Sequence, residues 1–266
     1  AGWCVSRSLN VTPFMDTSAR RERVASEASS SISVLLSRLC VAAPMHPPVN
    51  FDSVVLDALL SDWVRALGEF TVEAVVVLGP DPFADANRRL VLALHPPSLI
   101  DGAKALAESN DFGAPWRDSD APLVAWQHIA KSAYETQSRW RRLWLGHGFQ
   151  SVVRVEFPLP AGRAFECFMF SPREYHDRTD AAALAWSVLN LWPLLRRTMV
   201  DARGVLSPRE RECLTLAFGG LTARQSAEQL ACSERTVNYH LANAMAKLKV
   251  DNKLAAVQRA CWIGAL

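Results

Sequence analysis

Three hydroxyl side chains divide the stretch from Leu206 to Leu266 into helices too short to be stable in isolation. Ser207 is followed by Pro208 and, three positions after the cap, by Glu210, the spacing at which a hydroxyl and a carboxylate satisfy each other's backbone amides at a helix start. That helix is expected to run to Phe218 and to stop at Gly219-Gly220, a pair that accepts the left-handed turn closing a helix. Thr222 caps a second helix, Ala223 to Ala231, and Ser233 caps a third, Glu234 to Lys249, across a connection of only Ala231-Cys232. A fourth is expected from Lys253 to Ile263. Two helices joined by so short a turn form a helix-turn-helix, here within an all-α four-helix domain over residues 201–266.

The third helix has two unlike faces. Val237, Leu241, Ala244 and Leu248 fall on one stripe at helical spacing and must pack inward. Opposite them stand Arg235, Tyr239, Ala242 and Ala246, flanked by Asn238 and Asn243, a face low in bulk and supplied with hydrogen-bonding groups. Such a face suits a major groove: small side chains let the backbone approach base edges, Asn bonds adenine bidentately, and Arg235, Lys247 and Lys249 are placed to meet phosphates. An ordinary solvated helix would show the same periodicity. Charge adds a weak preference, since residues 201–266 carry nine Lys or Arg against six Asp or Glu, whereas residues 51–200 carry fifteen against eighteen.

The whole segment resembles the helix-turn-helix domains of the LuxR family. The resemblance covers Leu206 to about Ala260: Leu-Ser-Pro-Arg-Glu-Arg-Glu-Cys-Leu, then Gly220, Ala227 to Leu230, Ser233-Glu234-Arg235-Thr236-Val237-Asn238-Tyr239-His240, Lys247-Leu248 and Ala255-Ala256-Val257. It implies a regulator of transcription that binds double-stranded DNA as a homodimer through the third helix, with the fourth available as a dimer contact. Carried over by position, Asn238, Tyr239 and Ala242 would face bases, while Thr222, Ser233, Arg235, Thr236 and Lys247 would hold the backbone; Asn243 is a further candidate for DNA contact. RNA polymerase is a further partner that the resemblance implies.

Upstream, residues 1–48 are rich in Ser, Arg, Ala and Pro and read as a poorly ordered lead-in, with Met15 a second candidate for the start of translation. Residues 49–200 read as an α/β (α+β) sensor-like domain with one antiparallel sheet flanked by helices. Its expected elements are an amphipathic helix from Phe51 to Leu67, strands at Thr71 to Leu78 and Arg88 to Leu94, and a helix from Ser98 to Ser109. A long helix from Leu123 to Trp144 follows, then strands at Ser151 to Phe157 and Ala164 to Ser171 joined by a Pro160-Ala161-Gly162-Arg163 turn. A helix from Asp180 to Met199, kinked at Pro193, closes the domain.

Two arrangements of the family's N-terminal half bear on the switch. A phosphorylated receiver needs an acidic pair after an early strand, an Asp closing a middle strand and a later Lys, a set that this chain lacks. The autoinducer-binding domain of the quorum-sensing branch matches better in element order, and the Asn238-Tyr239-His240 and Ala242-Asn243-Ala244-Met245 stretches resemble that branch in particular. The domain in that branch carries a Trp, a Tyr four residues on, an Asp-Pro pair and a second Trp. Here Asp101 stands fifteen residues before Trp116, which fits the acid and the second Trp, but Gly102 takes the place of Pro and no upstream Trp-Tyr pair exists. An acyl-homoserine lactone needs a carboxylate for its amide proton, an indole or phenol for its carbonyls and an apolar sleeve, which Asp101, Trp116, Trp126 and Tyr134 are the candidates to supply. Aromatic core filling is the alternative role for each. The expected function is therefore signal-switched regulation, with ligand-independent regulation through dimerisation or a protein partner as the alternative.

An enzyme reading finds no GxSxG elbow, Walker loop, HExxH or GxGxxG, and Gly146-His147-Gly148 reads as a helix-ending turn. Neither cofactor nor metal is expected: Cys4, Cys40, Cys167, Cys213, Cys232 and Cys261 form no CxxC pair, and reduced, packed thiols suit a bacterial cytoplasmic protein. No apolar run reaches the length of a membrane span.

Overall fold

The run from Ala74 to Pro80 is buried at every position, so it needs cover on both faces and a neighbour on both edges. In the computed structural model, which describes residues 53–84, 88–109, 124–130, 138–176 and 178–266, this strand is β1 (Ala74–Pro80). It lies in a five-stranded antiparallel sheet with β2 (Arg89–His95), β3 (Val124–His128), β4 (Ser151–Leu159) and β5 (Arg163–Ser171), in the order β2-β1-β5-β4-β3. Ala161 and Gly162 both adopt positive φ, 62° and 66°, which makes the turn between β4 and β5 tight enough for a hairpin.

Each face of the sheet has its own core. On one side α1 (Ser53–Ala66) and α4 (Arg178–Arg203) pack Leu60, Trp63, Leu184, Val188 and Leu191 against Val75, Val77, Val153 and Met169. The Trp63 indole donates to Ser187 Oγ at 2.9 Å and so links the two helices. On the other side α2 (Ile100–Glu108) and α3 (Arg139–Gly146) cover Val76, Leu78, Phe168 and Phe170 with Leu106, Trp140 and Trp144. Trp144 stacks on Phe170 with ring centroids 3.5 Å apart, and its indole donates to Gly102 O at 3.3 Å. Cys167 is fully buried in the first core, and burial pushes its thiol pKa well up, so it packs as a small hydrophobe.

The sequence expectation for this half is right in architecture and wrong in one element. Within the long helix expected from Leu123 to Trp144, the described residues form a strand, Val124–His128, paired in register to Val155–Ser151, and a helix that begins at Arg139, while residues 131–137 lie outside the described residues. The edge position of the strand explains the misreading: every residue from Val124 to Gln127 is only half-buried, so helical spacing of Trp126, Trp140 and Trp144 dominated the pattern. β1 also runs past the expected stop at Leu78, because a Cβ at Gly79 would come within 2.9 Å of the Phe165 ring and the glycine lets the neighbours close in. In α1 the buried face is Leu56, Leu59, Leu60 and Trp63, continued by Leu67 just after the helix, while Val54 and Val55 are exposed. Pro193 lies inside α4, as expected from sequence, and leaves the Leu189 carbonyl without its intrahelical donor. The expected disordered lead-in, Met15, Cys4 and Cys40 lie outside the described residues.

At one end of the second core the sheet buries charge. Glu166 accepts from Arg89 Nη1 at 3.0 Å and from Arg154 Nε at 2.8 Å, and Arg154 also pairs with Glu156. Arg89 fastens α2 to the sheet by donating to the carbonyls of Leu106 at 3.0 Å and Ala107 at 3.2 Å. Glu166→Leu, which takes from two buried guanidinium groups the carboxylate they share, is expected to lower unfolding free energy by about 3–5 kcal/mol in urea melts followed by circular dichroism.

Candidate nucleic-acid interface

The C-terminal half is built from α5 (Pro208–Phe218), α6 (Ala223–Gln229), α7 (Glu234–Lys247) and α8 (Lys253–Trp262). Each starts on a side-chain cap. Ser207 Oγ accepts from Glu210 N at 3.3 Å while Glu210 Oε2 accepts from Ser207 N at 2.8 Å. Thr222 and Gln225 form the same reciprocal pair at 3.3 and 2.9 Å, Ser233 Oγ accepts from Thr236 N at 3.0 Å, and Asn252 Oδ1 accepts from Ala255 N at 2.8 Å. α6 and α7 end at Gln229 and Lys247, two residues earlier than expected in each case, and Ala231 and Lys249 follow them in the left-handed conformation at φ 51° and 53°.

Packing fixes which side of α7 faces outward. Val237, Leu241, Ala244 and Leu248 are buried in a cluster with Leu206, Leu214, Ala227, Val257 and Ala260, as their spacing predicts. The opposite face is open: Arg235, Thr236, Asn238, Tyr239, Ala242 and Ala246 are exposed and Asn243 is half-buried. Tyr239 keeps 63 % of its surface, and its ring meets His240 edge-on at 5.6 Å between centroids, so the largest group on this face is steadied by the half-buried histidine behind it. Thr222 and Ser233, exposed at the starts of α6 and α7, put helix N-termini on the same domain's surface, where free amides favour anions.

One connection had no signal in the sequence. Lys247 Nζ donates to Glu210 Oε2 at 2.8 Å, so the side chain expected to meet phosphate also pins α7 to the start of α5. Burial raises the Glu210 pKa, but the Lys247 ammonium and the Ser207 amide and hydroxyl outweigh it and hold the carboxyl below its ordinary range. The two partners are 37 positions apart, a separation at which spacing carries no information. Gln225, which completes the expected Thr222 cap into a reciprocal box, and the Asn252 cap stand by contrast at ordinary capping spacings in the sequence.

Of the ligand candidates of the other half, the two among the described residues lie on opposite sides of the sheet. Asp101 is exposed in the first turn of α2, on the side of the second core, whereas Trp126 packs half-buried against the first core on the opposite side of the sheet. Trp116 and Tyr134 lie outside the described residues. Gly146-His147-Gly148 is the helix-ending turn expected, with His147 N bonded to Leu143 O at 3.1 Å and Gly148 at φ 89°. Among the described residues no helix is long and apolar enough to cross a membrane.

Residues 204–260 match the model of the bacterial regulatory proteins of the luxR family. The chain is 38% identical to the transcriptional activator protein SolR of Ralstonia solanacearum over 229 residues, which covers 85% of this chain and 84% of SolR. It is 31% identical to the transcriptional activator protein LuxR of Aliivibrio fischeri over 91 residues, covering 34% of this chain and only 36% of that relative. Among solved structures, SdiA of Escherichia coli aligns with 89% of this chain and 98% of its own at 18% identity and a TM-score of 0.47.

The depressed Glu210 pKa has a consequence for stability. Its contribution is complete above the unfolded carboxyl's pKa of about 4.3 and is lost as pH falls through the lower folded value. Glu210→Gln should therefore cost about 1 kcal/mol at neutral pH, discounted for the half-exposed lysine, and the deficit should shrink below about pH 4. Thermal melts of wild type and variant at the two pH values measure it.

Proposed function

The chain belongs to the luxR family of bacterial regulatory proteins, and from that premise we propose that it is a DNA-binding transcription regulator rather than an enzyme. The observation that carries the proposal is the division of α7 into a buried apolar stripe and an exposed face of Arg235, Asn238, Tyr239 and Ala242. Asn238, Tyr239, Ala242 and Asn243 meet base edges in the major groove. Thr222, Ser233, Arg235 and Thr236 hold the phosphate backbone at the starts of α6 and α7, and Lys247 joins them from the other end of α7 with a neighbour, Glu210, that fixes its position. Two copies act together, with α8 as the contact between them; Leu254 on that helix is 78% exposed. The work is done in the cytoplasm, and the names of SolR and LuxR favour activation, with RNA polymerase as the partner downstream.

For the N-terminal sheet domain, residues 49–200, the reading is a sensor for a small amphiphilic signal of the acyl-homoserine-lactone kind. The two cores on either face of the sheet supply the apolar surroundings that such a chain needs. A second reading has its own support. Asp101 and Trp126 stand on opposite sides of the sheet, and α4 exposes Trp186 at 61% and Leu189 at 47%, features that suit ligand-independent dimerisation or a protein partner.

Selection of the full chain on random duplexes, then affinity measurements on the winning site, tests the DNA reading. Asn238→Ala should flatten preference at one base position by about 1–3 kcal/mol, and an equal loss on every sequence would remove it from the bases. Arg235→Ala should weaken all duplexes alike and lower the salt slope by about one. Thermal shifts with lactones of graded chain length decide between the two sensor readings: stabilisation by any of them supports the first, and none with the whole series supports the second.

A further inference from the structure

β2 is an outer strand of the sheet. It pairs antiparallel with β1, His95 opposite Val75 and Arg89 opposite Pro80, and among the described residues with no strand on its other edge. That edge is the floor of a groove of about 900 Å³, bounded by α2 from the second-core side and by Arg203, the last residue of α4, from the first. Leu90, Val91 and Leu92 are half-buried along it. Leu92 packs against the first core and Val91 against the second, so the side chains leave towards both helical layers and the unpaired backbone faces the groove. A slot between two layers, beside an open strand edge, has the shape of one more strand about 4.8 Å away.

The groove also has a direction. α2 starts soon after β2 and runs back along it, so Ile100, 39% exposed, stands towards the far end of the strand, while Arg89 at the near end donates to the Ala107 carbonyl at 3.2 Å. Cations gather at the near end: the Asp81 carboxylate lies 3.4 Å from Arg88 Nε and acts from further off on Arg203. Lys104 lies between the two ends on α2. Glu108 is engaged by Arg139 at 3.4 Å, and Arg89 by Glu166 at 3.0 Å. Lys104 and Arg203 are therefore left without an ion pair among the described residues.

We propose that this groove docks an extended peptide segment of a partner protein, rich in Val or Ile at one end and acidic at the other, which adds to the sheet as a further strand beside β2. Main-chain bonds to the open edge supply affinity, and the two unlike ends supply selectivity. Running antiparallel to β2, as every neighbouring pair in this sheet does, the segment presents its apolar residues first, towards Leu92 and Ile100. Its carboxylates follow, towards Lys104, Arg88 and Arg203. A second copy of the chain fits less well, because β2 against β2 brings two sets of these cations to one edge.

The probe is a fluorescein-labelled peptide in which a run of Val and Ile precedes a run of Asp and Glu, and its binding to the full chain is followed by anisotropy. Saturable binding is expected, stronger than that of the peptide in reverse order. Lys104→Glu, at an exposed position outside both cores, should weaken it about 3- to 10-fold. Methylation of every second peptide amide, in each of the two alternating sets, separates strand addition from charge attraction: the set that faces β2 should lose about 10-fold or more and the other set little. No saturable binding in either order, or equal loss with both methylated sets, would overturn strand addition. Equal affinity of Lys104→Glu and wild type would overturn the assignment to this groove. Hydrogen exchange read by peptide mass spectrometry needs no variant: exchange over 89–95 should slow when the peptide binds, and unchanged exchange there would overturn the docking. Protection of 89–95 that grows with protein concentration before peptide is added would give the edge to a second copy, and binding of decanoate but of no peptide would make the groove an acyl slot; either result overturns the proposal.

Discussion

One carboxylate oxygen, Glu210 Oε2, accepts the Ser207 amide at the start of α5 and the Lys247 ammonium at the end of α7, both at 2.8 Å. The helices of the C-terminal bundle are individually too short to be stable, so their arrangement depends on contacts between them. The apolar stripe of α7 fixes which side faces inward, and Val237, Leu241, Ala244 and Leu248 bury almost completely. An apolar stripe alone tolerates sliding, however, and the Glu210 pair sets the lengthwise position of α7 against α5 with a directional, charge-assisted bond. The exposed face from Arg235 to Ala246 inherits its position from that bond.

Much of this half could be read from residue order because its determinants are local. Caps act over three positions and helical stripes over four, so Ser207, Thr222, Ser233 and the buried face of α7 all followed from spacing. The errors were of one or two residues at helix ends, where Ala231 and Lys249 take the left-handed conformation without a glycine to announce it. The sheet half was legible in outline only. β4, β5 and their turn carried clear alternation and turn residues, but β3 is an edge strand whose identity lies in its pairing with Val155–Ser151, and pairing between distant segments leaves no local mark. The same holds for Arg89, Arg154 and Glu166, three charges that ordinary rules would place at the surface and that bury only because they meet one another.

The ligand set illustrates the limit most sharply. Asp101 is a candidate by its distance from Trp116 and Trp126 by its ring, yet distance along the chain does not report the side of the sheet. Trp126 shares its face of β3 with Val124, and both turn towards α1 and α4. Asp101 rides on α2, which covers the other face. A pocket formed by one layer therefore draws on one of these residues at most, and the sensor's chemistry has to be sought layer by layer instead of by spacing.

The two halves are held together internally by different kinds of contact. Within the sheet domain, stacked rings such as Trp144 on Phe170 and the buried ion pairs around Glu166 make internal rearrangement costly. Within the bundle, four capped helices share one apolar centre. Between them the connections described are Arg163 on Trp262, Phe83 beneath Arg259 and Lys249, Arg196 on the last carbonyl, and the Asp201–Arg211 pair. Backbone takes part as well: the Trp262 indole donates to the Pro160 carbonyl at 3.0 Å, and a Cβ at Gly264 would stand 3.1 Å from the Phe165 ring. Arg259 belongs to both sets of contacts at once: its guanidinium donates to the carbonyls of Leu248 and Lys249 at the end of α7 and lies over the ring of Phe83, in the segment 81–84 that follows β1.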